Sequence, residues 1–248
     1  MLSKIFHKKT TSERPYIPER PSDWPWTWST IFFKEYPRFE AISLPKNILK
    51  LQTLETTLSN RKSSRIFDVK EFLSLQELST ILYYGAGIKN NDGIQGKDSR
   101  EERNKTRRFY PSGGARYPLE IYAAIKRVSG VTPGIYHYSV ARHSLERLLG
   151  KKHLKESDDT LGYPWAKDAS VVFIVTAVWD RNFIKYHDFG YNIILIETGH
   201  MVQNLLLVSE SLGMHYCPLA GFNNQKMNVL LDIDGEDESS LYIIAIGK

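Results

Sequence analysis

Cysteine is nearly absent from this chain: Cys217 is the only one among 248 residues. An intrachain disulfide and a cysteine-built metal site are thereby excluded, and a reducing, cytoplasmic setting is the expected one. Long apolar runs are missing too, so a membrane-spanning helix, which needs about eighteen or more apolar residues, is excluded. The first residues, MLSKIFHKKTTSERP, carry charge but no continuous apolar segment and do not read as a secretory signal. Neither an internal repeat nor a low-complexity linker occurs. There is no P-loop, no G-x-S-x-G elbow and no HExxH pair. The GAG at Gly85–Gly87 follows a helical pattern rather than a strand, so it is not a dinucleotide fingerprint. DIDGEDE at 232–238 lacks the glycine position and closing glutamate of a calcium loop. No metal site is expected.

What is present describes a globular protein: 42% hydrophobic residues, 12% aromatic, with five Trp, fourteen Tyr and eleven Phe. A formal charge of +5 and a pI near 9.1 favour an anionic partner. Nucleic acid, an acidic peptide and a phosphorylated cofactor all satisfy that charge. Basic and aromatic residues mix in the N-terminal part, but no nucleic-acid-binding module accompanies them.

Residues 1–45 read as an irregular, extended arm, because RPYIPERPSDWPWTW is too rich in proline for a long helix. Trp24, Trp26 and Trp28 are its expected anchors. One α+β domain over 46–248 follows. Ile48, Leu51, Leu54 and Leu58 recur at helical spacing and predict a helix over 47–58. A second helix begins at Ser74, where Glu77 completes a capping-box pattern, with Gly85 as its stop. Residues 89–108 hold many charges and no apolar period, the pattern of a surface loop. EIYAAIKR, GIYHY, SVVFIVTAVW and SLYIIAIGK predict strands. Between the last two lies a strongly apolar helix, roughly 191–212, expected to run through the core.

Several short stretches carry chemistry. RKSSR places Arg61, Lys62, Ser63 and Arg65 at an element boundary; guanidinium forks and a hydroxyl suit a phosphate, and a solvated basic patch has the same composition. RRFYPSGGARYP sets Ser112 beside Gly113 and Gly114, residues that admit tight turns and close approach of backbone to a ligand. Lys185 and Tyr186 stand together after a buried strand, next to His187 and Asp188; a local field can make either a proton-transfer group. CPLAGFN, Cys217 to Asn223, is a Pro-then-Gly turn in apolar company, whose N–H groups can face a ligand ring; an ordinary buried turn has the same pattern. Glu197, His200 and Asn204 make one polar stripe on the apolar helix, which requires partners if buried.

Taken in order, FHKKT, SLP, RKSSR, LQELSTILYYGAGI, RRFYPSGGARYPLEIY, PGIYHY, HSLERL, KY, ETGHMVQNLLLVSESLGM, AGF and LYIIAIG resemble the SagB-type dehydrogenases of the FMN-dependent nitroreductase superfamily. The resemblance covers nearly the whole chain. It implies a nitroreductase-like α+β fold: a central, mostly antiparallel sheet flanked by helices, with a buried core helix. It further implies a homodimer with an FMN at each of two sites built from both subunits. Arg61, Ser63 and Arg65 would hold the phosphate. Ser112, Gly113 and Gly114 would face the isoalloxazine, and Leu219, Ala220 and Gly221 would approach flavin N5. Lys185 and Tyr186 would be the proton-transfer pair of an enzyme that oxidises azolines to thiazoles or oxazoles in a peptide or peptide-like substrate, with oxygen reoxidising the flavin and with cyclodehydratase or leader-binding subunits as partners.

One stretch departs from the family pattern. Members commonly continue KYG-x-RGYR, whereas this chain reads KYHDFGYN: His187 replaces a glycine, and Phe189 and Asn192 stand where arginines are usual. Two other functions stay open at this point. An NAD(P)H-dependent reductase of nitro, quinone or dehydroamino-acid substrates would use the same cofactor, and a non-catalytic scaffold subunit would have lost it.

Overall fold

The computed structural model describes residues 2–12, 16–89 and 106–248. Most of the charged run read as a surface loop, 90–105, lies outside them. Seven strands form one sheet: β1 (Ala41–Ser43), β2 (Leu119–Ile125), β3 (Gly134–Ser139), β4 (Ser144–Gly150), β5 (Val171–Val178), β6 (His215–Leu219) and β7 (Glu238–Gly247). Their order is β1-β4-β3-β2-β5-β7-β6, with every neighbouring pair antiparallel. The four predicted strands are β2, β3, β5 and β7, the central ones. Each is apolar over most of its length because both faces are covered.

Successive residues of a strand point to opposite faces, and the two cores follow that alternation. Ile121, Ala123 and Ile125 of β2 join Phe173 and Val175 of β5 in one core. Tyr122 and Ala124 join Val172 and Ile174 in the other. The first core is closed by α4 (Leu75–Ala86) and the long α7 (Phe189–Ser211); the second by α5 (Leu154–Thr160) and α8 (Asn224–Leu231). Three further helices are α1 (Leu2–Ser12), the single turn α2 (Trp26–Ser29) and α3 (Leu54–Asn60), and α6 (Asp180–Tyr186) links β5 to α7. Among the described residues no helix is long and apolar enough to cross a membrane.

Four expectations need correction. The first residues are helical, not irregular, and Ala41–Ser43 of the arm form the edge strand β1 against β4. The helix expected over 47–58 begins only at Leu54, capped by Thr53, whose hydroxyl accepts from Thr56 N–H. Upstream, Leu49 N–H donates to Thr80 Oγ1 (3.1 Å) and Gln52 N–H to Ser211 Oγ (2.6 Å), so side chains of α4 and α7 take the donors a helix would use. Gly85 does not stop α4: the helix continues to Ala86 and Gly87 is its C-cap. Finally, α7 is buried along one side only; Leu195 and Ile196 are 43% and 62% exposed.

Candidate functional site

The segment from Ser112 to Tyr117 is a strained turn. Gly114 has φ 61°, and Ala115 and Tyr117 also lie in the left-handed region, at 54° and 49°. Such backbone costs on the order of 1–2 kcal/mol at a residue with a Cβ, so it persists only where it is held. Side chains help to hold it: Tyr117 N–H donates to Ser112 Oγ (2.8 Å), Arg181 Nη1 to Tyr117 C=O (3.0 Å), and Arg108 N–H to Tyr117 Oη (3.1 Å), beside the turn's own bonds from Ala115 N–H to Ser112 C=O (3.0 Å) and Arg116 N–H to Gly113 C=O (3.3 Å).

The turn presses its two glycines against α6 and α7. A methyl group at Gly114 would stand 2.6 Å from Tyr186 Oη and 3.2 Å from Lys185 Nζ; one at Gly113 would stand 2.5 Å from Ile193 Cγ2. Ser112, Gly113, Gly114, Lys185 and Tyr186 are therefore brought together, although some seventy positions separate the loop from the pair. Lys185 is 1% exposed. Burial and the neighbouring Arg116 guanidinium lower its affinity for a proton below that of an ordinary lysine. Tyr186 is shifted the other way: burial and the Glu197 carboxyl raise it, and Arg116 only partly compensates. A lysine biased toward the neutral amine beside a tyrosine biased toward the neutral phenol is an arrangement able to exchange a proton.

Glu197 completes this end of the site. It is 2% exposed and lies beside the Ser112 hydroxyl and the Gly113 N–H, yet neither of its oxygens makes a hydrogen bond of good geometry. Burial pushes its carboxyl up to about 8, against the pull of Ser112, Arg108 and Gly113. The polar stripe read from sequence is thus divided: Glu197 is buried, Asn204 half-buried and His200 exposed. With 3.6 residues per turn, three residues carry His200 ~60° around the axis from Glu197, across the edge of the covered side.

The basic motif and the PLAGF turn form a second cluster. Ser64 N–H donates to Tyr216 C=O (2.8 Å), which lays the RKSSR loop along the start of β6. The Arg65 guanidinium sits 5.8 Å from the Trp165 ring, Trp165 packs against Tyr163, and a methyl at Gly221 would stand 3.1 Å from Tyr163 Oη. Ser63 and Arg65 are exposed, Arg61 half-buried; Leu219 is buried, Ala220 and Gly221 exposed. Among the described residues no carboxylate pairs with Arg61, Lys62 or Arg65.

Within one chain the basic motif and the glycine turn lie at opposite ends of the sheet, while Leu219, at the start of the PLAGF turn, is level with Tyr122 in the middle of β2. Tyr216 pairs with Ile246, Ile246 with Val171 and Val171 with Ile125, whereas the glycine loop enters β2 at Leu119. The length of β2 separates those ends by ~20 Å. The long helix gives the same distance: Glu210 accepts from Tyr216 Oη (2.7 Å), Glu197 lies at Ser112, and the rise between the two glutamates is ~20 Å.

A buried ionic chain behind the pair is one that sequence reading missed. His137 lies between Glu146 (2.8 Å) and Glu120 (3.1 Å), and Glu120 meets Arg181 (2.6 Å), one helical turn before Lys185. Burial alone would raise the Glu120 carboxyl, but Arg181 and His137 hold it down at about 2. Burial disfavours charged His137 too, and its two carboxylate partners more than offset that. The available signal was weak: polar residues on otherwise apolar strands.

The family model described as the nitroreductase family matches residues 58–248. A protein of Methanocaldococcus jannaschii that bears the name nitroreductase is 31% identical over 79% of this chain and 90% of its own. The trifolitoxin-processing protein TfxB of Rhizobium leguminosarum bv. trifolii is 27% identical over 71% of this chain; the match spans about half, 48%, of TfxB. Among solved structures, the Escherichia coli microcin synthetase McbBCD complex with truncated pro-MccB17 bound contains a chain of the same fold. It superposes with a TM-score of 0.63 at 20% identity, covering all of this chain and 91% of that one.

Proposed function

The chain belongs to the nitroreductase family, and on that premise we propose that it is an FMN-dependent dehydrogenase that oxidises azoline rings of a peptide or peptide-like substrate to thiazoles or oxazoles. The observation that carries the reading is the Lys185 amine and Tyr186 hydroxyl held against Gly114 of the glycine turn. On this reading the glycines let the turn pack tightly against the amine and the hydroxyl, which stand together as base and proton carrier beside it. The names of TfxB and of the McbBCD complex, both tied to the making of a modified peptide, support the substrate class. They also support partner subunits that bind the leader or form the azoline.

The residues present fit FMN. Arg61, Ser63 and Arg65 offer two guanidinium groups and a hydroxyl with no carboxylate ion-paired to them among the described residues, which suits a phosphate. Ser112, Gly113 and Gly114, with Leu219, Ala220 and Gly221, would hold the isoalloxazine. When bound, FMN would supply a two-electron acceptor for the oxidation, with oxygen as the final oxidant. Lys185 takes the accompanying proton from the azoline carbon, and Tyr186 orients the ring or carries the proton outward. The separation of the basic motif from the glycine turn along one sheet supports a site assembled from two copies of the chain.

The test is an anaerobic titration of the purified protein, followed in the flavin absorbance bands. Bleaching on addition of an azoline-containing peptide, with formation of the azole, is the expected result. Bleaching by NADH or NADPH alone, with no response to the azoline, would make the protein a reductase. No flavin after incubation with FMN would leave only a scaffold role. Lys185→Ala should keep the bands and lose about 10²–10⁴-fold in azoline oxidation.

A further inference from the structure

Two tryptophans of the N-terminal arm close over Lys185. Its Nζ lies 3.4 Å from the centroid of the Trp24 ring and 5.6 Å from that of Trp28. The cover is fastened at several points. Trp28 Nε1–H donates to Ile184 C=O (2.9 Å), and Trp24 Nε1–H donates to Pro18 C=O (2.8 Å). Arg116 Nη1 donates to the carbonyls of Trp28 (2.8 Å) and Thr30 (2.7 Å), while its Nε donates to Arg181 C=O (2.8 Å), so one guanidinium ties arm and α6 together. Farther along, Asn192 Nδ2 donates to Thr10 C=O (3.0 Å), and Phe6 packs edge-on against Tyr191. The arm therefore runs against KYHDFGYN, the stretch that departs from the family pattern, and Asn192, one of the departing residues, is a docking point for α1.

A lysine that takes a proton from carbon must begin as an amine and end as a cation. Burial and Arg116 favour the beginning. The end is the harder state, because among the described residues no carboxylate forms an ion pair with Lys185. The groups that face it are Arg116 from the glycine turn, the Tyr186 hydroxyl on its own helix and the two indoles of the arm; Glu197 of α7 faces Tyr186 instead. Aromatic faces attract a cation through their quadrupole without neutralising it beforehand, and of the three near Lys185 Nζ the Trp24 face is the closest, at 3.4 Å against 5.6 Å for Trp28 and for Tyr186.

We propose that Trp24 is a positioning residue for proton transfer at Lys185: its indole face receives the ammonium that forms as a new N–H bond is made and the substrate's C–H bond breaks, the bonding pair staying with the substrate. The arm is then part of the active site. The inference rests on Lys185 being the base and goes one residue beyond that reading.

Competitive acetylation with acetic anhydride across a pH series, on the full-length protein with its flavin, reports the titration midpoint of Lys185 through the mass of its peptide. In Trp24→Leu, which keeps an apolar cover but no aromatic face, the midpoint is expected to fall by ~0.4–1.5 pH units. Trp24→Phe, with a weaker face and little risk to folding, should lie between Leu and the native residue. With an azoline peptide, kcat should drop ~2–30-fold in Trp24→Leu while KM stays put. An unchanged or raised midpoint in the Leu variant, which is what simple entry of water would give, overturns the proposal; if that variant misfolds, an unchanged midpoint in Trp24→Phe does so. Labelling requires no turnover, so failure of the base assignment shows separately, as undiminished azoline oxidation by Lys185→Ala.

Discussion

Glu197 shows how much one residue's surroundings can do to it. Its carboxyl is pushed up to about 8 by burial, whereas in an unfolded chain a glutamate ionises near ~4.3. Between those values the unfolded state gives up a proton that the folded state keeps. Stability from this group therefore falls as pH rises, by at most about 1.4 kcal/mol per unit, and levels off above the folded value. Glu197→Gln, which cannot ionise, should gain on the native protein between about pH 5 and 8. Urea midpoints at the two ends measure this, and a pH-independent difference would mean that Glu197 is already ionised in the fold. A glutamate in an apolar helix was conspicuous in the sequence. Its company was not: Ser112, Gly113 and Arg108 lie some eighty or more positions away. The same holds for the Glu146–His137–Glu120–Arg181 chain, whose members come from three strands and a helix. Contacts of that kind are made by the sheet register, which no local pattern encodes.

Elements were legible where local chemistry decides them. The start of α4 is one: the Ser74 hydroxyl accepts from Glu77 N–H (3.1 Å), and the Glu77 carboxylate accepts from Ser74 N–H (2.7 Å). Glu77 also meets Lys248 at the end of β7, so the cap ties the helix to the last strand (2.5 Å). Ser74→Ala should cost ~1 kcal/mol of stability, within about 0.5–2, read from the urea midpoint. An element read wrongly, the helix over 47–58, had the right period but lost its first turn to hydroxyls of Thr80 and Ser211. The unpredicted strands β1, β4 and β6 are short or mixed in polarity. They become strands because a more apolar neighbour offers an edge to pair with.

At the scale of the whole molecule the separation of the basic motif from the glycine turn sets the prediction. If each site takes RKSSR from one chain and Lys185 from another, chains defective in different clusters should complement. Unfolding and refolding an equal mixture of Arg61→Ala/Arg65→Ala and Lys185→Ala should give about half hybrid dimers, each with one intact site, and hence about one quarter of native azoline oxidation. A site built within a single chain would leave the mixture no more active than the mutants apart. The sequence by itself determined the α+β class, the central strands, the capped helix, and the small and basic residues a flavin would need. Each of these depends on neighbours a few positions away, through helical period, strand alternation or backbone permissiveness. Only the tertiary structure decided that Gly114 meets Tyr186 and Lys185, that Trp24 covers the lysine, and that the basic RKSSR motif lies ~20 Å away at the other end of the sheet. Those distances follow from strand order and register, which are settled by burying both faces of one sheet at once and not by any segment alone.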